Sequence, residues 1–247
     1  MALWDARFRS RGQNLFDHFA GPKRQLKVSY ILGISSLTDM LIEARTVYEQ
    51  GVRVLKVKVG REHTKDLELV RILRGELADL ELYADSNETL SVENAPTVLE
   101  AMREAGLLWV EEPLPVHQLR ARADLRKLEI LPLIADDSCF TLEALERELD
   151  FDTFDILNIK TARTGFSESL KMLELAKRAG KSVMIGSQAG SLFSTRLSAL
   201  FASLEEVDKA SELSFFLKLE SDIATPNPVL KNGFLALEDL RGVELDE

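Results

Sequence analysis

The residues best suited to chemistry stand in pairs at the ends of short apolar runs. "KVK" sets Lys56 and Lys58 two apart, "DSN" sets Asp85 and Asn87, and "NIK" sets Asn158 and Lys160. Side chains of an extended segment alternate between faces, so both members of each pair share one face. "EEP" and "DDS" supply adjacent acids instead, Glu111 with Glu112 and Asp136 with Asp137. Alternation sends one of each to the shared face and its neighbour away. Asp85, Glu111 and Asp136 recur at intervals of 26 and 25 residues. Three carboxylates converging on one place repel each other and oppose their own ionisation. A bound divalent cation relieves that. With no His or Cys among the candidates, all-oxygen ligation favours Mg²⁺ or Mn²⁺ over zinc. Taken singly, each acid also reads as a solvated residue at a strand end. A helix cap would account for Asp85 or Asp137 alone. Recurrence in five successive segments is what speaks for a site.

The elements that must position these groups alternate along the chain. Apolar runs at 27–34, 52–60, 80–87, 107–114, 131–138, 154–161 and 181–188 are rich in Val, Ile and Leu, and a weaker eighth lies at 207–214. Such runs suit buried parallel strands. Between them, "SLTDMLIEARTVYEQG", "SVENAPTVLEAMREAG" and "SESLKMLELAKRAG" read as helices stopped by Gly51, Gly106 and Gly180. Seven or eight βα units in this length predict an α/β fold, a TIM-type (β/α)8 or (β/α)7β barrel. A doubly wound open sheet is less favoured, because no G-x-G-x-x-G turn follows the first run. In a barrel, chemistry sits where strands end. Residues 1–26 read as a linker of two short helices, and 27–247 as the barrel with an extended C-terminal tail or short hairpin.

The formal net charge of −10 argues against a nucleic-acid partner. No apolar run reaches the ~18 residues of a membrane span, and no signal-peptide layout opens the chain. Cys139 is the one cysteine, so no internal disulfide is expected, and a cytoplasmic setting is the default.

With K-x-K, D-x-N, E-x-P, D-[ED]-S and N-x-K in this order and spacing, the sequence resembles the enolase superfamily. It is most similar to the muconate-lactonizing-enzyme subgroup, with its muconate cycloisomerases, o-succinylbenzoate synthases, N-acylamino-acid racemases and dipeptide epimerases. The resemblance implies that Asp85, Glu111 and Asp136 ligate Mg²⁺, with Mn²⁺ as the substitute. It implies that Lys58 and Lys160 flank a small carboxylate substrate and that Lys56 supports Lys58 by disfavouring a second positive charge beside it. Asn87, Asn158, Ser187 and Gln188 are the expected substrate contacts, and Glu212 is a further polar candidate. The shared step is removal of a proton α to a carboxylate, leaving an enediolate that a metal ion and nearby ammonium groups stabilise. Such sites use a Lys or His base with Mg²⁺. Two-base transfer gives racemisation or epimerisation. One-base transfer gives syn elimination or cycloisomerisation.

The mandelate-racemase type, which needs a seventh-strand His, is not expected, because the histidines are His18, His63 and His117. His117 reads as a surface or capping residue. Three departures from the family pattern stand out. Asp137 replaces a usual Glu, and Gly190 stands where many members carry Glu. Residues 1–26 do not read as the family's capping domain, so a truncated chain, a split gene, or a barrel that takes a capping chain or a homo-oligomer as its partner is expected. Two other functions compete. One is a Schiff-base aldolase on Lys160. The other is a barrel without turnover that needs a cap.

Overall fold

A computed structural model of the chain describes residues 1–60 and 62–245, and at His63 and Thr64 the backbone only. Helices α1 (Ala2–Arg9) and α2 (Leu15–Phe19) come first, as the sequence predicts. Strands β1 (Gln25–Lys27) and β2 (Tyr30–Ile31) follow. Helix and strand then alternate: α3 (Leu37–Glu49), β3 (Val54–Lys58), α4 (His63–Glu76), β4 (Glu81–Asp85), α5 (Ala95–Glu104), β5 (Val110–Glu111), α6 (Leu119–Lys127), β6 (Leu133–Ala135), α7 (Leu142–Phe151), β7 (Ile156–Ile159), α8 (Thr161–Arg178), β8 (Ser182–Ile185) and α9 (Leu192–Ala202). The chain closes with β9 (Ala224–Thr225), β10 (Phe234–Ala236), α10 (Leu237–Arg241) and β11 (Glu244–Leu245). The barrel range 27–247 runs past the described residues at Asp246 and Glu247.

Two compact units are present. The first comprises Ile31–Glu49 and Arg53–Asn158. Its strands pair in parallel and in chain order, with Val54 opposite Glu81, Asp85 opposite Glu111 and Ile134 opposite Ile156. Val54, Leu55, Leu82, Tyr83, Val110 and Leu157 are fully buried. Continuous apolar runs of this kind are what a parallel sheet covered on both faces requires. The helices turn one stripe inward, Val98, Leu99 and Met102 on α5 and Leu145 on α7. Thr141 caps α7 by accepting a hydrogen bond from the Ala144 amide at its Oγ1.

The register aligns the chemistry. Lys58 stands opposite Asp85, and Asp85 opposite Glu111, so three neighbouring strands end on one line. Gly60 follows β3 at φ 106°, where a Cβ would lie 2.1 Å from Thr89 Oγ1. The positive φ favours glycine at this turn, and a Cβ would push the Thr89 hydroxyl off its bond to the Ser86 carbonyl.

The second unit comprises Met1–Tyr30, Gln50–Val52 and Ile159–Glu247. Phe166 of α8 lies against Phe19 and Phe201, and α9 is buried along nearly its whole length. Helix α8 begins six residues before the predicted "SESLKM" segment and breaks at Gly165 (φ 68°, ψ 173°). Residues 207–214, the weak eighth strand of the sequence reading, form only an isolated bridge from Ser211 to Val28. Side chains take over part of the ladder there. Asp208 Oδ1 accepts from the Val183 amide, and Ser211 Oγ accepts from the Ile185 amide. The tail is a hairpin-like extension only in part. β10 pairs antiparallel with β1 and β9 with β11, but α10 intervenes, burying Leu237 and Leu240. Among the described residues no helix is long and apolar enough to cross a membrane.

Candidate active site

Lys56 and Lys58 project from the same face of β3 but end in different surroundings. Lys56 is 2% exposed; its ammonium donates to Glu111 Oε1 at 2.7 Å and lies 3.1 Å from Asp85 Oδ2. Lys58 has 27% of its side chain accessible and donates 2.6 Å hydrogen bonds to Asp85 Oδ2 and to Asn87 Oδ1. One carboxylate oxygen, Asp85 Oδ2, is thus shared by two ammonium groups. Its partner Oδ1 accepts from the Asn87 amide at 3.0 Å, a local turn with Asn87 at φ 42°. Burial works to raise the Asp85 carboxyl, but the Lys56 and Lys58 charges outweigh it and hold the group below the ordinary aspartate range. Glu111 Oε2 accepts from Asn158 Nδ2 at 3.2 Å.

A cavity of about 450 Å³ adjoins this cluster within the same unit. Lys58, Asp85 and Asn87 line one side of it, and Ile34, Leu37, Met40 and Leu69 form an apolar wall. Its size and mixed lining suit a small organic molecule with a polar end.

Asp136 is buried at the end of β6, where the chain enters a 3₁₀ turn over Asp137–Cys139, and Asp137 is exposed. Alternation sends Glu111 and Glu112 apart as expected. Glu112 turns to the opposite side, toward the buried Arg122 of α6 (Nη1 to Oε2, 2.7 Å). No spacing rule points to that pairing. The only hint is an Arg ten residues after a Glu on a helix that is charged throughout.

The remaining candidates lie in the other unit. Lys160 precedes α8, and its carbonyl accepts from the Arg163 amide at 2.9 Å. The Ser187 amide donates to Glu212 Oε2 at 2.7 Å, and Gln188 is exposed. At Gly190 a Cβ would lie 2.8 Å from the Ser194 side chain, so Ser194 fills the room a longer residue would need. His117 is exposed, and the side chain of His63 lies outside the described residues.

The donor chemistry suits a hard cation. Asp85 and Glu111 already share one positive charge, the Lys56 ammonium, and both are oxygen donors. Asp136 is the next buried carboxylate along the sheet. Among the described residues no three His, Cys, Asp or Glu side chains are grouped as a ready-made ion cage. The lysines hold Asp85 and Glu111 instead.

Residues 39–247 match a family model described as enolase C-terminal domain-like. The chain belongs to this family. It is 24% identical to an o-succinylbenzoate synthase of Bacillus subtilis (strain 168) over 99% of its own length and 66% of that protein's. It is 28% identical to the o-succinylbenzoate synthase of Geobacillus kaustophilus, over 99% and 65%. The chain thus spans just under two thirds of these relatives. A muconate lactonizing enzyme from Mucobacterium Smegmatis, solved with muconolactone, superposes at a TM-score of 0.90 with 31% identity, over 100% of this chain and 69% of that one. The fold is the α/β barrel of the enolase superfamily, as the βα alternation predicts.

Proposed function

We propose that this chain is the barrel of a Mg²⁺-dependent enolase-superfamily isomerase or lyase that removes a proton α to a carboxylate. The observation that carries the reading is Lys58, an accessible amine on a cavity wall, set beside a buried cluster of opposite charges. A general base needs reach into the substrate space, and Lys58 has it. Lys56 has none: it is enclosed and bonded to Glu111, so its part is electrostatic. Its positive charge, held against Glu111, favours anionic charge developing nearby.

Asp85, Glu111 and Asp136 would hold the ion, which when bound stabilises negative charge on the substrate carboxylate. Asn87 orients the Lys58 ammonium through their hydrogen bond, and Asn158 orients Glu111. Ile34, Leu37 and Met40 offer apolar contact to the carbon skeleton of a substrate in the cavity. Lys160 is the second proton-transfer group of this reading, with Ser187 and Gln188 as substrate contacts. With both lysines active the outcome is racemisation or epimerisation. With Lys58 alone it is cycloisomerisation or syn elimination. A cytoplasmic setting and assembly with like or capping chains belong to the same reading.

The test is exchange of α-protons with solvent deuterium, followed by NMR on a panel of N-acylamino acids, dipeptides and muconate. Exchange that EDTA abolishes and Mg²⁺ restores is the expected result. Exchange untouched by EDTA, with borohydride trapping of an adduct on Lys160, would overturn the proposal.

A further inference from the structure

Glu112 is fully buried and has no part in the proton transfer. We infer that it is a positioning residue that fixes the start of the β6–α7 turn and thereby aims the Asp136 carboxylate. The inference rests on the role proposed above for Asp136.

Both oxygens of the Glu112 carboxylate are engaged. Oε1 accepts from the Asp136 amide at 2.7 Å, the Ser138 amide at 2.9 Å and Ser138 Oγ at 2.6 Å. Oε2 accepts from Arg122 Nη1 at 2.7 Å. Three donors crowd Oε1 and the Arg122 guanidinium holds Oε2, so both oxygens are committed within the protein. The group is therefore not an active-site ligand, although its neighbour in sequence is a candidate for one.

Its backbone is equally engaged. The Glu112 amide donates to the Ile134 carbonyl at 3.1 Å, and its own carbonyl accepts from the Glu88 amide at 2.7 Å. A single residue thus ties β5 to β6, to the β4–α5 loop next to Asn87 and to α6. Glu112 also adopts φ 39°, a left-handed conformation that a side-chain-bearing residue keeps only when its surroundings enforce it. Those bonds are the enforcement.

Support continues outward. Arg122 Nη2 lies 3.5 Å from Glu148 Oε2, which accepts from Thr153 Oγ1 at 2.5 Å. Glu148 and Thr153 flank the end of α7, so the arginine is braced between two carboxylates. Removing the Glu112 acceptor would strand two buried N–H groups on the segment carrying Asp136. The cheapest relief is movement of that segment, and Asp136 moves with it.

The measurement is Mn²⁺ affinity by electron paramagnetic resonance, without substrate. Glu112→Ala is expected to weaken Mn²⁺ by roughly 10–100-fold, the usual effect of losing a group that orients a ligand. Glu112→Gln should recover most of that, since its amide oxygen still accepts from the Asp136 and Ser138 amides. Glu148→Ala is the control: it removes the far brace and lowers stability but leaves the acceptor, so Mn²⁺ affinity should stay near wild type. Unchanged affinity in Glu112→Ala overturns the inference. So does a Gln variant as weak as the Ala variant, or a Glu148→Ala variant that loses as much Mn²⁺ affinity as Glu112→Ala. Should Glu112→Ala not fold, Ser138→Ala removes one of the three bonds and is expected to weaken Mn²⁺ severalfold; no change there overturns it as well. Absence of Mn²⁺ binding by the wild-type chain would overturn the proposed function and this inference together, which distinguishes the two failures.

Discussion

Lys56 on β3 donates a 2.7 Å hydrogen bond to Oε1 of Glu111, two strands away, with both side chains almost completely enclosed. A buried ion pair costs desolvation and is not in itself a source of stability. Breaking it from one side is costly, because the other charge is left behind. Lys56→Met should strip Glu111 of its ammonium partner, leave Asp85 with Lys58 alone, and destabilise the chain by about 3–5 kcal/mol. Mg²⁺ should restore more stability to this variant than to wild type. Urea denaturation with and without Mg²⁺ measures both. Equal responses of variant and wild type to Mg²⁺ would show that the two carboxylates are not a cation site.

Lys58→Ala should separate base from metal. Deuterium exchange at the substrate α-carbon is expected to fall by at least ~10²-fold, the usual worth of a general base. Mn²⁺ affinity should change little. Asp136→Asn should do the reverse at the binding step, weakening Mn²⁺ first. Exchange that survives in Lys58→Ala would assign the base elsewhere.

Cys139 is enclosed behind the 3₁₀ turn, and burial, with Glu148 and Glu112 nearby, holds its thiol well above the ordinary range. A thiol that is neither ionised nor accessible reacts slowly. Dithionitrobenzoate should therefore leave the native chain unlabelled at mildly alkaline pH and label one equivalent in denaturant. Prompt labelling of the native chain would show that this turn opens readily.

Asp208 supplies a pH-dependent contribution in the other unit. Burial acts to raise its carboxyl, but bonds from Lys209, the Val183 amide and Ser182 outweigh it, so the group titrates below the ordinary aspartate range. A lowered folded pKa means stability that is present above the unfolded value of about 3.9 and lost as pH falls through the folded value. Asp208→Asn should thus be less stable than wild type at neutral pH, and the gap should close in acid. A gap that persists at the lowest pH where both remain folded would place its cause in packing.

The shared face of the lysine pair and the recurrence of Asp85 and Glu111 at one strand position were legible because they depend on two simple periods, two residues within a strand and about 25 between strands. Register then did the rest, setting Lys58, Asp85 and Glu111 side by side. Glu112 was not legible in the same way. Its partners are two backbone amides in a turn and an arginine on a helix, and no spacing rule connects them. Residues 207–214 read as a strand because their pattern is apolar enough, yet Asp208 and Ser211 bond the neighbouring strand through side-chain oxygens. Helix α10 escaped notice because five residues are too few to display a helical period. At Gly190 the sequence shows a departure but not its neighbour, Ser194, which occupies the space.

The unequal solvation of the two β3 lysines bears on how a catalyst is reset. A base that takes a proton must lose it before the next cycle. Lys58 touches the open cavity and can hand its proton to water. Lys56 is sealed against Glu111 and has no such outlet. On the roles proposed above, two residues along one strand would divide the labour between a group that exchanges protons through the cavity and one enclosed as a countercharge to Glu111.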